Sequence, residues 1–174
     1  MTSAAPSRAT QAFALVKTLV FFAIVPGAMG GYLPYSLLDS PAVPAWTAWS
    51  PLQWGGAAVF ALGVTGLLWC GWNFAVIGLG TPAVWDAPRR LVVRGPYRCV
   101  RNPMYVAVGT AILGQSLFFG SVRLLPYLAI FGSILHLFVV FYEEPALREQ
   151  FGADYEAYCR RVWRWIPRPP RSTG

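Results

Sequence analysis

At 174 residues the chain is one domain by length, 56% hydrophobic and only 12% charged, with mean hydropathy +0.47. A soluble domain carries about 25% charged residues, so the composition excludes an ordinary soluble globule and places the chain in a bilayer. The net charge of +7 does not make it a nucleic-acid binder, because the arginines flank apolar runs instead of alternating with aromatics along a groove.

Met1 to Gln11 is small and polar and reads as a disordered N-terminus. Residues 12–77 hold two apolar spans. The first runs from Phe13 to about Gly31, broken only by Lys17, whose stem can carry its ammonium to the headgroups. A cleaved leader ending in Ala28-Met29-Gly30-Gly31 is the competing reading. Ser36 to Pro51 is a loop in which prolines accompany Trp46 and Trp49, a composition suited to a membrane interface. The second span, Leu52 to about Ile77, is long enough to cross about 30 Å of hydrocarbon. Its glycines, Gly55, Gly56, Gly63, Gly66 and Gly71, point to close helix packing through small residues. Gly78-Leu79-Gly80-Thr81-Pro82 ends it, and residues 78–102 form a polar connector carrying Arg89, Arg90 and Arg94.

Residues 103–144 read as an antiparallel helical hairpin, from about Pro103 to Phe119 and from Leu124 to Tyr142, joined by Gly120–Arg123. Residues 145–167 divide into a short helical extension from Pro145 to Gln150, stopped at Phe151-Gly152, and a helix from Asp154 to about Trp165. Tyr155, Tyr158 and Val162 share one face of the latter and Arg160, Arg161 and Arg164 occupy the rest, as in a helix lying on an anionic membrane surface. Residues 168–174 read as a disordered tail. The expected fold class is therefore an all-α integral membrane protein. It has about four transmembrane helices, the last two a hairpin, plus a C-terminal cytoplasmic amphipathic helix. Of the 14 basic residues, Arg8, the five arginines from Arg89 to Arg101 and the six from Arg148 to Arg171 fall on one side of such a topology. The positive-inside rule makes that side cytoplasmic, together with both termini.

The hairpin brings the start of its first helix beside the end of its second. Arg101, Asn102 and Tyr105 then meet Glu143 and Glu144 at the cytoplasmic face. A carboxylate at membrane depth costs about 2.5–3.5 kcal/mol on insertion scales, so it has a partner or a task, and Arg101 is the obvious partner. Two acids, an arginine, an amide and a tyrosine make a polar pocket that packing does not require. His136 precedes Glu143 by two helical turns, about 10 Å deeper, where it either lines a cavity descending from the pocket or hydrogen-bonds a neighbouring helix. Gln115 and Ser116, toward the far end of the hairpin, suit interhelical hydrogen bonds. Cys70, Cys99 and Cys159 are widely spaced and lack a C-x-x-C pattern; with a single histidine, neither a disulfide framework nor a metal site is expected.

The run Gly95-Pro96-Tyr97-Arg98-Cys99-Val100-Arg101-Asn102-Pro103-Met104-Tyr105, followed by Glu143-Glu144-Pro145 and by Phe151-Gly152-Ala153-Asp154-Tyr155-Glu156-Ala157-Tyr158, resembles the isoprenylcysteine carboxyl methyltransferase and phospholipid methyltransferase superfamily. The resemblance covers Leu91 to Pro167; the N-terminal half is similar only in having two apolar spans. It implies an integral membrane methyltransferase that uses S-adenosylmethionine and acts on a lipid or amphiphilic acceptor entering sideways from the inner leaflet of a bacterial-type inner membrane. Asn102 stands where the prenylcysteine branch has histidine. Asn-Pro-Met-Tyr with Glu-Glu-Pro is closer to the phosphatidylethanolamine N-methyltransferase branch, and the tail is closer to the prenylcysteine branch, so an amine, a carboxylate or a thiol acceptor stays open. The resemblance makes Arg101, Glu143 and Glu144 the candidate catalytic residues. Tyr97, Asn102, Pro103 and Tyr105 join them at the cofactor, Tyr155 and Tyr158 close over it, and Gly63 and Gly66 contribute from the second span. Two rival readings from other classes are a small proton-coupled transporter, built on the membrane acid, and an inert scaffold of the same fold.

Overall fold

The structure is a computed structural model and describes residues 16, 20–21, 24–38, 43–73 and 91–168. The readings made of the N-terminus, Lys17, Gly78 to Pro82, Arg89, Arg90 and residues 169–174 lie outside the described residues. Among the described residues every regular element is helical. A π-helical turn at Ala28–Tyr32 leads into α1 (Leu33–Ser36), followed by α2 (Pro51–Asn73), α3 (Pro103–Phe119) and α4 (Leu124–Phe138). A second π-helical turn, Val139–Glu143, leads into α5 (Glu144–Arg161). Two helices are long and apolar enough to cross a membrane, α2 and the continuous Leu124–Arg161, and α3 is a shorter apolar helix. Their exposed side chains are those lipid would cover, including Leu62, Leu68, Ile130, Ile134 and Phe141.

The first apolar run does not stop at Gly31 as expected; residues 24–36 are helical throughout. Proline explains how. Pro34 has no N–H to offer the Gly30 carbonyl and its ring crowds that oxygen, so the helix widens and the Leu33 N–H reaches back to Ala28 O. Two carbonyls are released from the helix ladder and both find partners: Gln115 Nε2 donates to Gly30 O at 2.6 Å and the Tyr127 hydroxyl to Met29 O at 2.6 Å. The interhelical role expected of Gln115 is thus met, and the N-terminal helix is tied to both arms of the hairpin. Ser116 differs from the expectation, since its hydroxyl donates to Ser121 O at 2.8 Å and closes the turn rather than bridging helices.

The tightest packing is between α2 and α3. A Cβ on Gly63 would meet Ala111 N at 2.5 Å and Ala107 O at 2.8 Å, and one on Gly66 the Ala107 methyl at 3.2 Å. These glycines let two backbones touch. Beyond them Val108, Ile112 and Leu124 form the buried centre, flanked by Leu67, Tyr127, Leu128 and Phe131. The hairpin turn rests on Gly120, whose φ of 63° ends α3 in the left-handed region while its N–H returns to Ser116 O.

The C-terminal segment is in two helical pieces, as expected. α5 (Glu144–Arg161) is broken at Gly152, whose φ of 49° and ψ of −122° are non-helical, and Val162 is already extended. The stop expected at Phe151-Gly152 is there, and the second piece ends before Trp165. Its apolar face packs against the protein itself. Tyr155, Tyr158 and Val162 are buried against Leu91, Leu147, Phe151 and Cys159, so α5 itself and the connector's Leu91 supply the apolar surface this face needs. Residues 162–168 then cross back over that connector. Arg101 N–H donates to Trp163 O at 2.8 Å and Arg168 N–H to Cys99 O at 2.9 Å.

Candidate active site

The connector enters the site through a 3-10 turn, Gly95–Arg98, which drives Tyr97 into the core against Cys70 and Met104. Burial, above all, pushes the Tyr97 phenol well above its ordinary pKa, with Cys70, Glu143 and Tyr158 adding to the shift. It is a neutral group at physiological pH. Arg101 and Asn102 follow outside a helix; Asn102, the residue before Pro103, is kept out of the α region and has φ −118° and ψ 57°. Pro103 starts α3, where its missing N–H costs nothing, and Tyr105 lies in the first turn.

From the other arm comes the second π turn, and proline sits at the same place. Pro145 cannot bond the Phe141 carbonyl, the Glu144 N–H returns to Val139 O, and the helix widens over Val139–Glu143. The wider turn advances by less per residue than α-helix and swings Glu143 away from the face that carries His136. The Tyr105 hydroxyl donates to Glu143 Oε2 at 3.1 Å. Tyr97, Arg101, Asn102, Pro103, Met104, Tyr105 and Glu143 enclose a cavity of about 40 Å³, room for roughly three waters.

Glu144, one residue on, faces elsewhere. It is 2% exposed and is held by three guanidinium groups. Arg164 clasps it with both prongs, Nε to Oε1 at 2.6 Å and Nη2 to Oε2 at 3.0 Å. Arg101 Nη1 lies 3.1 Å from Oε1 and Arg148 Nη2 3.3 Å from Oε2. Burial by itself would raise the Glu144 carboxyl, but the Arg164 bond and the charges of Arg101, Arg164 and Arg148 outweigh it, and the group sits below the ordinary carboxylate value. Both its oxygens are occupied, so this acid ties the connector, α5 and the tail together. The predicted partnership of Arg101 with one of the two acids is there, and the acid is Glu144. Arg101 is not fully used by it: Nη1 also approaches Cys159 Sγ at 2.8 Å, while its Nε is buried with no hydrogen-bond partner among the described residues.

Other predicted residues fall outside the cavity wall. Gly63 and Gly66 pack α2 on α3, the space of their missing side chains being taken by α3 backbone at Gly63 and by the Ala107 methyl at Gly66. Tyr155 and Tyr158 stand one layer behind, with the Tyr158 hydroxyl donating to Tyr97 O at 2.7 Å, so they support the connector instead of closing over the cavity. Asn102 does line the cavity, but its amide donates to Arg164 O at 3.2 Å and is committed to the tail. His136 lines a second, larger and mostly apolar groove of about 730 Å³ between α3 and α4, with Val106, Gly109, Leu128 and Leu135. Tyr105 belongs to both spaces and forms the wall between them. The His136 ring is also hydrogen-bonded, by the indole N–H of Trp165 at 3.0 Å to Nδ1, so its partner belongs to the non-helical tail and not to the neighbouring helix that its alternative reading expected.

Arg164, Trp165 and Cys159 escaped sequence reasoning. Each acts on residues 20 to 62 positions away, through a C-terminal segment that folds back, and no local spacing rule reports such a return. A family model described as phospholipid methyltransferase matches residues 52–154, which takes in α2, the connector, the hairpin and the kink in α5. No curated protein and no solved structure matches the chain.

Proposed function

The chain belongs to the phospholipid methyltransferase family, and on that footing we propose that it is an integral membrane enzyme transferring a methyl group from S-adenosylmethionine to a lipid or amphiphilic acceptor. The observation that carries this reading is the cavity between the connector and the hairpin, lined both by an acid held by a tyrosine and by Arg101, whose Nε has no partner among the described residues. The donor set fits the amino-acid end of that cofactor: Glu143 accepts from an ammonium and Arg101 Nε donates to a carboxylate. The cofactor supplies an electrophilic methyl on a sulfonium, transferred by in-line displacement with little call for acid–base help. What the chain contributes is therefore positioning and electrostatics. Tyr105 fixes the Glu143 carboxylate, Tyr97 and Pro103 wall the cavity, and Glu144 holds Arg101 in place from behind. Glu143 and Arg101 are the residues in contact with ligand, and Glu144 positions them.

The acceptor's apolar part lies in the groove beside His136, with its reacting group brought to Tyr105, where groove and cavity meet. Positive-inside charge puts this junction and both termini on the cytoplasmic side, within reach of a soluble cofactor and of inner-leaflet lipid. The test is binding and turnover. Purified protein binds S-adenosylhomocysteine, and incubation with methyl-labelled cofactor and a total membrane extract labels a lipid. Absence of binding, or loss of neither in Glu143→Gln and Arg101→Ala, overturns the assignment, and substrate flux into proteoliposomes without any methylated product puts the transporter reading in its place.

A further inference from the structure

We propose that Trp165 is the specificity-determining residue of this site, setting how bulky a head an acceptor presents at the junction between the apolar groove and the polar cavity. The inference rests on the methyl-transfer reading above and names what selects the acceptor within it. Trp165 reaches this place from the far end of the chain, because the tail is bound to the connector by two backbone hydrogen bonds and by the Asn102 amide on Arg164 O. Arg164, its neighbour, is anchored on Glu144. The backbone on which the indole stands is thereby fixed on both sides.

The indole is fixed as well. Its only N–H goes to His136 Nδ1 at 3.0 Å, which requires a neutral imidazole with that nitrogen free to accept. Its ring lies 6.4 Å from Tyr105 and 6.0 Å from His136 between centroids, tilted to both. Tyr105 and His136 are the groove residues at the end nearest Glu143, since Tyr105 bonds Glu143 and also walls the small cavity. Leu128 and Ala129, by contrast, are toward the hairpin turn. Trp165 therefore stands at the cavity end of a groove that is mostly apolar. With its polar atom consumed, it offers an acceptor only ring surface. A head passing from groove to cavity passes this ring, and its bulk is measured against a side chain that cannot swing away without breaking the His136 bond.

The experiment compares wild type, Trp165→Ala, Trp165→Phe and His136→Ala on phosphatidylethanolamine and its monomethyl and dimethyl derivatives. These acceptors share their chains and differ by one methyl at a time in the head. Trp165→Ala raises kcat/KM for the dimethyl head relative to the unmethylated head about tenfold over wild type, with the change carried by KM. His136→Ala, which leaves the indole in place but unheld, shifts the ratio the same way by less. Trp165→Phe keeps a smaller ring but loses the N–H to His136, so it shifts the ratio the same way by less than Trp165→Ala, and it guards against a misfolded alanine variant. An unchanged ratio, or an equal loss on all three acceptors that lowers kcat alone, overturns the assignment of Trp165. If wild type transfers no methyl to any of the three while labelling another lipid, the specificity assignment falls and methyl transfer stands. If it labels nothing and binds no S-adenosylhomocysteine, the functional reading fails and the assignment with it.

Discussion

Replacing Glu144 by alanine removes one carboxylate and leaves three guanidinium groups facing each other. The cost depends on where each can go. Arg148 is 45% exposed and retains Glu156 at 2.8 Å, so its lost contact is worth under about 1 kcal/mol. Arg164 is 31% exposed and can turn its prongs to water. Arg101 is 12% exposed and among the described residues its guanidinium keeps only the Cys159 sulfur, which is the situation of a buried ion deprived of its partner, about 3–5 kcal/mol. Arg101 therefore sets the total. At about 2–4 °C per kcal/mol for a chain of this size, the melting temperature in detergent falls by about 6–20 °C. In an Arg101→Met background the buried orphan is gone and the same change costs about 1–3 kcal/mol less. A drop of under about 3 °C in Glu144→Ala, or strict additivity with Arg101→Met, refutes the clasp. The acid limb supplies a second check. The folded-state pKa of Glu144 lies below the ordinary 4.5, so its contribution is full above that value and is lost as pH falls through the lower folded one. Lowering the pH from 7 toward 3 closes the melting-temperature gap between wild type and Glu144→Ala.

Glu143→Gln behaves differently: it weakens S-adenosylhomocysteine binding about 10- to 150-fold, the value of one charge-assisted hydrogen bond of about 1.5–3 kcal/mol, as titration calorimetry would read it. Its melting temperature stays close to wild type because Tyr105 still has an amide oxygen to donate to. Gly63→Ala drives a methyl into the α3 backbone and destabilises by about 1–3 kcal/mol. Gly55→Ala, with nothing within 4 Å of the new carbon, stabilises by about 0.5–1 kcal/mol; thermal melts of the pair separate packing from propensity. Pro145→Ala restores the missing N–H and lets the helix tighten through 139–145. That rotates Glu143 away from Tyr105 and weakens ligand binding at least tenfold, with helical circular dichroism unchanged.

Much of this protein follows from local chemistry in the chain. Apolar runs with few charges can form only helices in a bilayer, where every backbone group must be satisfied internally. A four-residue link between two such runs forces them antiparallel, so the meeting of Arg101 and Tyr105 with the Glu143–Glu144 pair was legible in the sequence, but not which acid each would take. Glycine at Gly63 announced a close approach for the same reason. Even the two π turns have a local cause, since Pro34 and Pro145 each deprive a carbonyl four residues back of its donor, although the run of apolar residues disguised it. Tertiary structure alone decided which acid does which task. Glu143 and Glu144 are adjacent and chemically identical, and only the widening of the helix and the return of the tail give one a cavity and the other three arginines. It also decided that Tyr155 and Tyr158 are support, and that Trp165 meets His136. Those contacts join residues 29 or more positions apart through segments with no periodic signal. Periodicity reports which face of a helix is apolar; what comes to cover that face is a property of the folded chain.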